Sequence, residues 1–220
     1  MMILDETASQ RFAALIREHS GLVFGEATRA DLVRVLVQLA AEKGIQNADE
    51  LWAQLVDGSR GHLLLMELIA RLTIGETHFF RNRPQMSALQ TQILPELIER
   101  RRAARRLRFW SAGCASGEEP YTLAILLSQM IPDLVNWDVL ILATDINPYA
   151  LVKARRGLYS AWSFREVPDG IQHQYFRIVG NEFEILPEIR RLVTFAQLNL
   201  AGNAYPGIAT NTYDMDIILC

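Results

Sequence analysis

The stretch that decides the fold is residues 110–121, Trp110-Ser-Ala-Gly-Cys-Ala-Ser-Gly-Glu-Glu-Pro-Tyr121. A short apolar run, 107–112, leads into it, and a helical apolar pattern, 120–130, follows it. Glycines between a strand and a helix let the backbone approach a ligand, and the helix N-terminus presents free N–H groups. The stretch therefore predicts a strand, a binding loop and a helix, although a plain tight turn would also use these glycines.

The next apolar run along the chain ends in an acid. Residues 139–143 (VLILA) have the length and composition of a buried strand, and Thr144-Asp145 follows them. An acid at the end of the strand after a glycine loop can accept hydrogen bonds from both ribose hydroxyls of a nucleoside. The alternative interpretation is a helix N-cap, because Asn147-Pro148 opens the next helical pattern.

The loop itself indicates which nucleoside cofactor it suits. A dinucleotide site needs Gly-x-Gly-x-x-Gly, whereas positions 113, 115 and 118 hold Gly, Ala and Glu. Two adjacent acids, Glu118 and Glu119, would repel a pyrophosphate but suit a cation such as the ammonium and sulfonium of S-adenosylmethionine. The pattern favours a methyl donor over NAD, although acids are also favourable in any first helical turn.

The rest of the chain extends this unit in both directions. Residues 192–198 and 214–219 add two strand candidates, so strands alternating with helices predict an open, parallel α/β sheet. Residues 175–179 and 183–186 flank a glycine-containing loop and predict an antiparallel hairpin beside the sheet. Residues 1–72 carry apolar residues at helical spacing and predict a small all-α domain.

Composition excludes several classes of protein. The 220 residues are 50% hydrophobic with a net charge of −3, so disorder is not expected and charge gives no argument for nucleic-acid binding. The two cysteines, Cys114 and Cys220, lie far apart, which argues against a zinc site or a disulfide. Without an apolar run of membrane-spanning length or a signal peptide, we expect a cytoplasmic protein with no membrane insertion.

Five blocks in order carry a family resemblance: 75–81 (GETHFFR), 110–121, 143–146 (ATDI), 164–168 (FREVP) and 197–200 (QLNL). With them the sequence resembles the chemotaxis receptor glutamate O-methyltransferases, the CheR family. The resemblance implies a helical N-terminal domain and a Rossmann-like class I methyltransferase domain with an inserted antiparallel β-hairpin subdomain. The expected parts are a helical domain at 1–74, a linker and helix at 75–106, and a methyltransferase domain at 107–220 with its β-subdomain at about 173–190.

The resemblance also implies a site, with S-adenosylmethionine as cofactor and no metal. The residues it assigns to cofactor binding are Thr77, Arg81, Gly113, Glu118, Asp145, Asn199 and Leu200. Glu118 is expected to bind the methionine amino group, with Glu119 as the alternative, and Asp145 is expected to bind the ribose. Arg81 is the expected catalytic residue, which orients the substrate carboxylate. Residues 199–200 are expected on the adenine side.

The implied reaction forms glutamate methyl esters on chemotaxis receptors and leaves S-adenosylhomocysteine. The implied partners are the receptor cytoplasmic domain and, at the hairpin of residues 175–186, a peptide from the receptor tail. Residues 1–72 hold ten acidic and seven basic residues, so the electrostatic complementarity to an acidic receptor is weak. Two alternatives stay open: a methyltransferase of the same fold that acts on another protein or a small carboxylate, and a cofactor-binding regulatory module without turnover.

The number of strands gives one further expectation. The sequence supplies four parallel-strand candidates, whereas a methyltransferase sheet of this type normally has seven. Residues 217–220 (IILC) have the character of a buried strand, and by resemblance the family continues there with an Arg-Asn pair and a nearby Tyr that border the active site. We therefore expect the methyltransferase domain to be incomplete in this chain.

Overall fold

The computed structural model describes residues 2–220, and the chain divides into two compact units. The first unit runs to Ile74 and also includes Asn199–Asn203, a short segment from much later in the chain. The second unit comprises Gly75–Leu198 and Ala204–Cys220.

The first unit is helical, as its apolar spacing predicts. Its helices are α1 (Glu6–Ser20), α2 (Glu26–Lys43), α3 (Ala48–Leu55) and α4 (Gly58–Leu72). Local signals set the ends: Asn47 Oδ1 accepts the Glu50 N–H at the start of α3, and Gly44 ends α2 in the left-handed region. Phe12, Leu36 and Leu68 are fully buried in this unit, since each stands on the apolar face of its helix.

An ion-pair cluster joins α2 and α4. Glu67 lies 2.8 Å from Lys43 Nζ and 2.5 Å from Arg71 Nη2, and Arg71 also pairs with Glu42 at 2.7 Å. The hydrogen bond from Lys43, followed by that from Arg71, holds the pKa of Glu67 below its ordinary value. A carboxyl with a lowered folded pKa stabilises the fold above its ordinary pKa, and this contribution is lost as the pH falls.

Glu67→Gln should therefore lower the free energy of unfolding by about 1 kcal/mol at neutral pH. The difference between variant and wild type should shrink as the pH falls through 4.5, the ordinary value for Glu, towards about 3. Urea unfolding of the full chain, followed by circular dichroism at several pH values, measures the difference. An equal difference at pH 7 and pH 3 would contradict the ion-pair explanation.

The second unit alternates strands and helices. Its helices are α5 (Arg83–Ala88), α6 (Leu94–Arg101), α7 (Glu118–Met130), α8 (Pro148–Arg156), α9 (Ile171–Tyr175) and α10 (Pro187–Arg190). Its strands are β1 (Arg106–Ala112), β2 (Asp138–Asp145), β3 (Leu158–Tyr159), β4 (Phe176–Val179), β5 (Glu182–Ile185), β6 (Val193–Gln197) and β7 (Ile217–Leu219). A 3₁₀ turn, Ala161–Phe164, follows β3.

The larger sheet has the order β6-β2-β1-β7, and every neighbouring pair is parallel. Each of the four predicted parallel strands is present, which confirms a Rossmann-like α/β sheet. Ile141 and Leu142 point to opposite faces of β2 and are both buried, which explains why residues 139–143 form a continuous apolar run.

One carboxylate fixes β7 against β1. Asp216, whose side chain is 4% exposed, accepts hydrogen bonds from the Arg101 guanidinium and, at 2.9 Å, from the Arg108 backbone N–H. The Asp216 N–H in turn donates to the Arg108 carbonyl at 2.8 Å. Arg101 and Arg108 therefore have a structural role, because they anchor the start of β7.

The smaller sheet is antiparallel, with the order β3-β5-β4. The hairpin β4–β5 agrees with the predicted one, and Gly180 at φ +61° begins its two-residue turn. The sequence did not predict β3, because a two-residue strand directly after a helix leaves no alternating pattern. It begins after Gly157, and Tyr159 on it is fully buried.

The helix expected within residues 75–106 is not continuous. The segment forms α5, a π-helical turn over Leu89–Ile93 and α6, and the helix ends at Arg101. Two arginines beyond the end of this helix pair with acids: Arg102 binds Glu99 at 2.8 Å and Arg105 lies 3.5 Å from Asp133. No helix within the described range is long and apolar enough to cross a membrane.

Candidate active site

The glycine loop folds over the end of β2. The backbone N–H groups of Gly113 and Cys114 both donate to the Thr144 carbonyl, at 2.8 and 2.9 Å. Gly113 and Gly117 have φ angles of +83° and +94°, in the left-handed region that favours glycine. The two glycines thus shape a loop at the carboxyl edge of the sheet, where open α/β folds bind their ligands.

Asp145 lies at that edge and ties two turns together. Its Oδ2 accepts the Ala115 N–H and its Oδ1 accepts the Asn147 N–H, both at 2.8 Å. The cap of α8 is Asn147, whose Oδ1 accepts the N–H groups of Tyr149 and Ala150. The capping interpretation of Asp145 is therefore excluded. Each of its oxygens has a further lone pair, so the carboxylate can still accept two hydroxyls.

The two adjacent acids differ in their surroundings. Glu118 is 1% exposed, and its Oε2 and Oε1 accept hydrogen bonds from the hydroxyls of Ser116 and Ser163, at 2.7 and 3.1 Å. Glu119 is half-buried, and its Oε1 accepts the Ser111 hydroxyl at 2.6 Å. Glu119 thus combines partial exposure with remaining capacity to accept hydrogen bonds.

The electrostatic environment of the loop is negative. Burial raises the pKa of the Cys114 thiol far above its ordinary value, and the neighbouring charges of Asp145, Glu119 and Glu118 raise it further. Cys114 therefore stays a neutral, buried thiol. Three carboxylates around one glycine loop favour a cationic ligand over a pyrophosphate.

The segment that carries Thr77 and Arg81 is fixed by two backbone hydrogen bonds. Phe79 N–H donates to the Ser163 carbonyl at 3.0 Å, and Phe80 N–H donates to Thr122 Oγ1 at 3.1 Å. These bonds hold Phe80 at φ +57°, which is unusual for a bulky residue, and strain of this kind is common at functional sites.

Aromatic packing fixes the same segment. The ring of Phe79 is fully buried and contacts Tyr159, Phe164 and Phe176, with ring centroids 4.8 to 5.1 Å apart. Phe79 is therefore a core residue that anchors this segment.

Arg81 and Thr77 are the accessible residues of this segment. Arg81 is exposed, and its guanidinium donates to the Glu76 carbonyl. Thr77 is half-buried. The neighbouring His78 is buried, and its Nδ1 lies 2.7 Å from Arg165 Nη2. The two accessible side chains are thus presented from a rigid backbone.

Asn199 and Leu200 fall in the other compact unit. Asn199 Oδ1 accepts the Ala201 N–H at 2.9 Å, so its side chain caps a turn. Its Nδ2 donates to the His19 carbonyl at 2.6 Å. A role of these two residues towards adenine stays a prediction.

The sequence did not point to the hydroxyl residues behind the site. Ser111, Ser116, Thr122 and Ser163 each bond an acid or a backbone group of the site. Serine and threonine are common in loops and helices, so their presence carries no signal. Ser163 lies 45 residues from its partner Glu118, and only the folded topology brings them together.

Comparison with known proteins agrees with this geometry. Residues 75–220 match the family model described as CheR methyltransferase, SAM binding domain. The chain belongs to the CheR methyltransferase family. S-adenosylmethionine is therefore its cofactor. The match covers the glycine loop, Asp145 and the segment with Thr77 and Arg81.

Curated members of the family are similar over most of the chain. A "Chemotaxis protein methyltransferase" of Borreliella burgdorferi is 31% identical over 96% of this chain and 74% of its own length. "Chemotaxis protein methyltransferase 2" of Vibrio cholerae is 30% identical over the whole chain and 75% of its own length. A "Chemotaxis protein methyltransferase" of Listeria monocytogenes is 31% identical over 95% of this chain and 74% of its own length.

The residues present fit the cofactor of the family. Asp145 is held in place with lone pairs to spare, and Glu119 is a partly exposed carboxylate in the first turn of α7. S-adenosylmethionine carries ribose hydroxyls and positively charged ammonium and sulfonium groups. It therefore needs acceptors for the hydroxyls and a negatively charged site, and the loop provides both. Across residues 2–220, no group of three or more His, Cys, Asp or Glu side chains could hold a metal ion.

Proposed function

We propose that the protein transfers the methyl group of S-adenosylmethionine to glutamate side chains in the cytoplasmic domain of chemotaxis receptors. The product would be a glutamate γ-methyl ester, and the protein would act in the cytoplasm. The observation that carries the proposal is the acid-bearing glycine loop in a CheR domain. The relatives' names as chemotaxis protein methyltransferases support the choice of receptor.

The proposed reaction mainly requires the protein to position the substrate carboxylate relative to the methyl group. When bound, the cofactor supplies an electrophilic methyl group on a sulfonium. The γ-carboxylate of a substrate glutamate is ionised at neutral pH, because the ordinary pKa of Glu lies well below 7, so no general base is required. Arg81 would hold this carboxylate in line for attack, since a guanidinium binds both oxygens of a carboxylate at once.

We assign the parts of the cofactor to different residues. Asp145 would accept the two ribose hydroxyls with the lone pairs that Ala115 and Asn147 leave free. Gly113 would let the backbone come close, and Thr77 would contact the cofactor from the strained segment. Asn199 and Leu200 would contact the adenine, as the family resemblance implies.

The sequence ranked Glu118 ahead of Glu119 for the amino group, but burial favours Glu119. Glu118 already accepts two hydroxyls and has almost no accessible surface. A cofactor ammonium could reach it only by displacing these partners. We propose Glu119 as the acceptor of the amino group and keep Glu118 as the alternative that experiment must separate.

Asp145→Asn should weaken the binding of S-adenosylhomocysteine roughly 10- to 100-fold, because the amide loses a charged acceptor for the ribose. Isothermal titration calorimetry measures this directly. Asp138→Asn is the matched control: it lies at the opposite end of the same strand and its side chain is 73% exposed. Equal binding by wild type and Asp145→Asn would remove Asp145 from the site, and no binding by the wild type would overturn the proposed function.

Methyl transfer needs its own test. The protein should move labelled methyl groups from S-adenosylmethionine to a receptor cytoplasmic fragment, and mild base should release them as methanol, as an ester requires. Label that resists base, or transfer only to other acceptors, would contradict a glutamate ester.

The hairpin supports a second contact with the receptor. Strand β4 is the edge of its sheet, and Ile178 on it is 71% exposed. An extended peptide from the receptor tail could add a strand to this edge by backbone pairing. A tail peptide that binds the wild type and an Ile178→Ala variant equally well would argue against recognition of side chains at this edge.

One observation favours a different substrate as the second candidate. Five of the seven basic residues between positions 1 and 72 are paired with acids of the same unit: Arg11, Arg29, Arg34, Lys43 and Arg71. Their charges are largely offset, so attraction to an acidic receptor is weak. A CheR-type enzyme for another protein or a small carboxylate is therefore the alternative. Methylation of such an acceptor, without transfer to receptor fragments, would select it.

A further inference from the structure

Glu118 is a buried carboxylate without a cationic partner. It is 1% exposed, and none of the ion pairs among the described residues includes it. A buried charge is costly unless hydrogen bonds replace its hydration. Here the hydroxyls of Ser116 and Ser163 occupy its two oxygens, and its position in the first turn of α7 is favourable for a negative charge.

Each hydroxyl partner of Glu118 leads to a different part of the site. The carbonyl of Ser116, in the glycine loop, accepts the Tyr159 hydroxyl at 2.8 Å. The carbonyl of Ser163 accepts the Phe79 N–H at 3.0 Å. The Glu118 side chain thus lies behind the glycine loop on one side and behind the segment with Thr77 and Arg81 on the other.

The backbone of Glu118 makes a parallel connection. Its carbonyl accepts the Thr122 hydroxyl at 2.7 Å, and the same hydroxyl oxygen accepts the Phe80 N–H at 3.1 Å. Phe80 is the residue held at φ +57°, and Arg81 follows it directly. One residue of α7 therefore supports both hydrogen bonds that fix the strained segment.

We infer that Glu118 is a positioning residue: through Ser116 and Ser163 it holds the glycine loop and the Thr77–Arg81 segment in one arrangement. It acts through these partners and does not touch the cofactor. The inference rests on the proposed function for its catalytic consequence, but the hydrogen bonds themselves predict a measurable effect without any cofactor. The two neighbouring acids then have different roles: Glu118 positions the backbone around the site, and Glu119 binds the amino group of the cofactor.

Hydrogen exchange of the cofactor-free full chain tests the structural part. In Glu118→Ala, the Phe79 amide should exchange about tenfold faster, the effect of losing one supporting hydrogen bond, whereas the Phe80 amide should change little because alanine keeps the backbone carbonyl that accepts the Thr122 hydroxyl. Ser163→Ala should accelerate Phe79 exchange and also covers the case in which Glu118→Ala fails to fold. Ser160→Ala, an exposed serine before the same 3₁₀ turn, is the control and should leave both amides unchanged. Unchanged protection of the Phe79 amide in both Glu118→Ala and Ser163→Ala would overturn the inference.

Binding and turnover then separate positioning from direct contact. Glu118→Gln keeps the shape and one oxygen acceptor, and its amide can donate to the second serine. Its affinity for S-adenosylhomocysteine and its turnover should therefore be within about tenfold of wild type, above those of Glu118→Ala. Glu119→Gln should weaken S-adenosylhomocysteine binding without changing Phe79 or Phe80 exchange. If Glu118→Gln binds as poorly as Glu118→Ala while Glu119→Gln binds normally, Glu118 is a direct ligand and the inference is wrong. If the wild type binds no cofactor, the proposed function fails, and the exchange result still decides the positioning role.

Discussion

Arg81→Ala should lower the rate of methyl transfer by at least about 100-fold and leave the fold intact. Arg81 is exposed, and within residues 2–220 its guanidinium donates only to the nearby Glu76 carbonyl, so its removal uncovers no buried group. Orientation of a reacting carboxylate is worth several kcal/mol, and loss of one well-placed donor typically costs 10²- to 10³-fold. The effect should therefore appear in turnover and not in stability.

The measurement is transfer of labelled methyl groups at saturating cofactor, with thermal unfolding of each variant alongside. Arg83→Ala is the matched control, because Arg83 is an exposed arginine two residues away at the start of α5. It should keep near-wild-type activity. Normal turnover in Arg81→Ala, or equal losses in both variants, would show that Arg81 has no special role.

Gly117→Ala should destabilise the second unit by about 2–5 kcal/mol. The residue has φ +94°, which costs an alanine about 1–2 kcal/mol. A Cβ there would lie 2.9 Å from Ala154 Cβ and 3.1 Å from the Tyr159 hydroxyl, and overpacking of this kind adds about 1–3 kcal/mol. Both neighbours are buried and cannot easily move aside.

Gly113→Ala separates the two contributions. Gly113 has a similar φ of +83°, but a Cβ there would meet nothing within 4 Å. This variant should lose only the conformational part, about 1–2 kcal/mol. Chemical denaturation of the two variants in parallel measures the difference. Equal losses would mean that the close approach at Gly117 relaxes at no cost.

The sheet and the loop were predictable because their physical causes lie within short segments. A strand covered on both faces must be apolar throughout, so residues 139–143 could be recognised without any knowledge of their neighbours. The glycine loop and Asp145 follow such strands directly. The segment β3 could not be recognised, since its two residues owe their conformation to pairing with β5, 24 or more residues later.

The roles of Glu118 and Glu119 show a second limit of the sequence. The two residues are chemically identical and adjacent, and both suit the first turn of a helix. Neighbouring positions on a helix point about 100° apart, so one side chain turns into the protein while the other stays at the surface. Which one turns inward depends on Ser163 and the packing around it, and no local pattern encodes that choice.

The clamp that Asp216 forms with Arg101 and Arg108 has a consequence for synthesis on the ribosome. Arg101 and Arg108 lie 115 and 108 residues before Asp216 in the sequence, so these contacts are among the most non-local of the molecule. At roughly 5–20 residues per second, β1 waits about 5–20 s before β7 emerges to cover its free edge. During that interval an apolar strand with unpaired backbone groups is available to other chains. We therefore expect the nascent protein to depend on chaperones more than its finished fold would indicate.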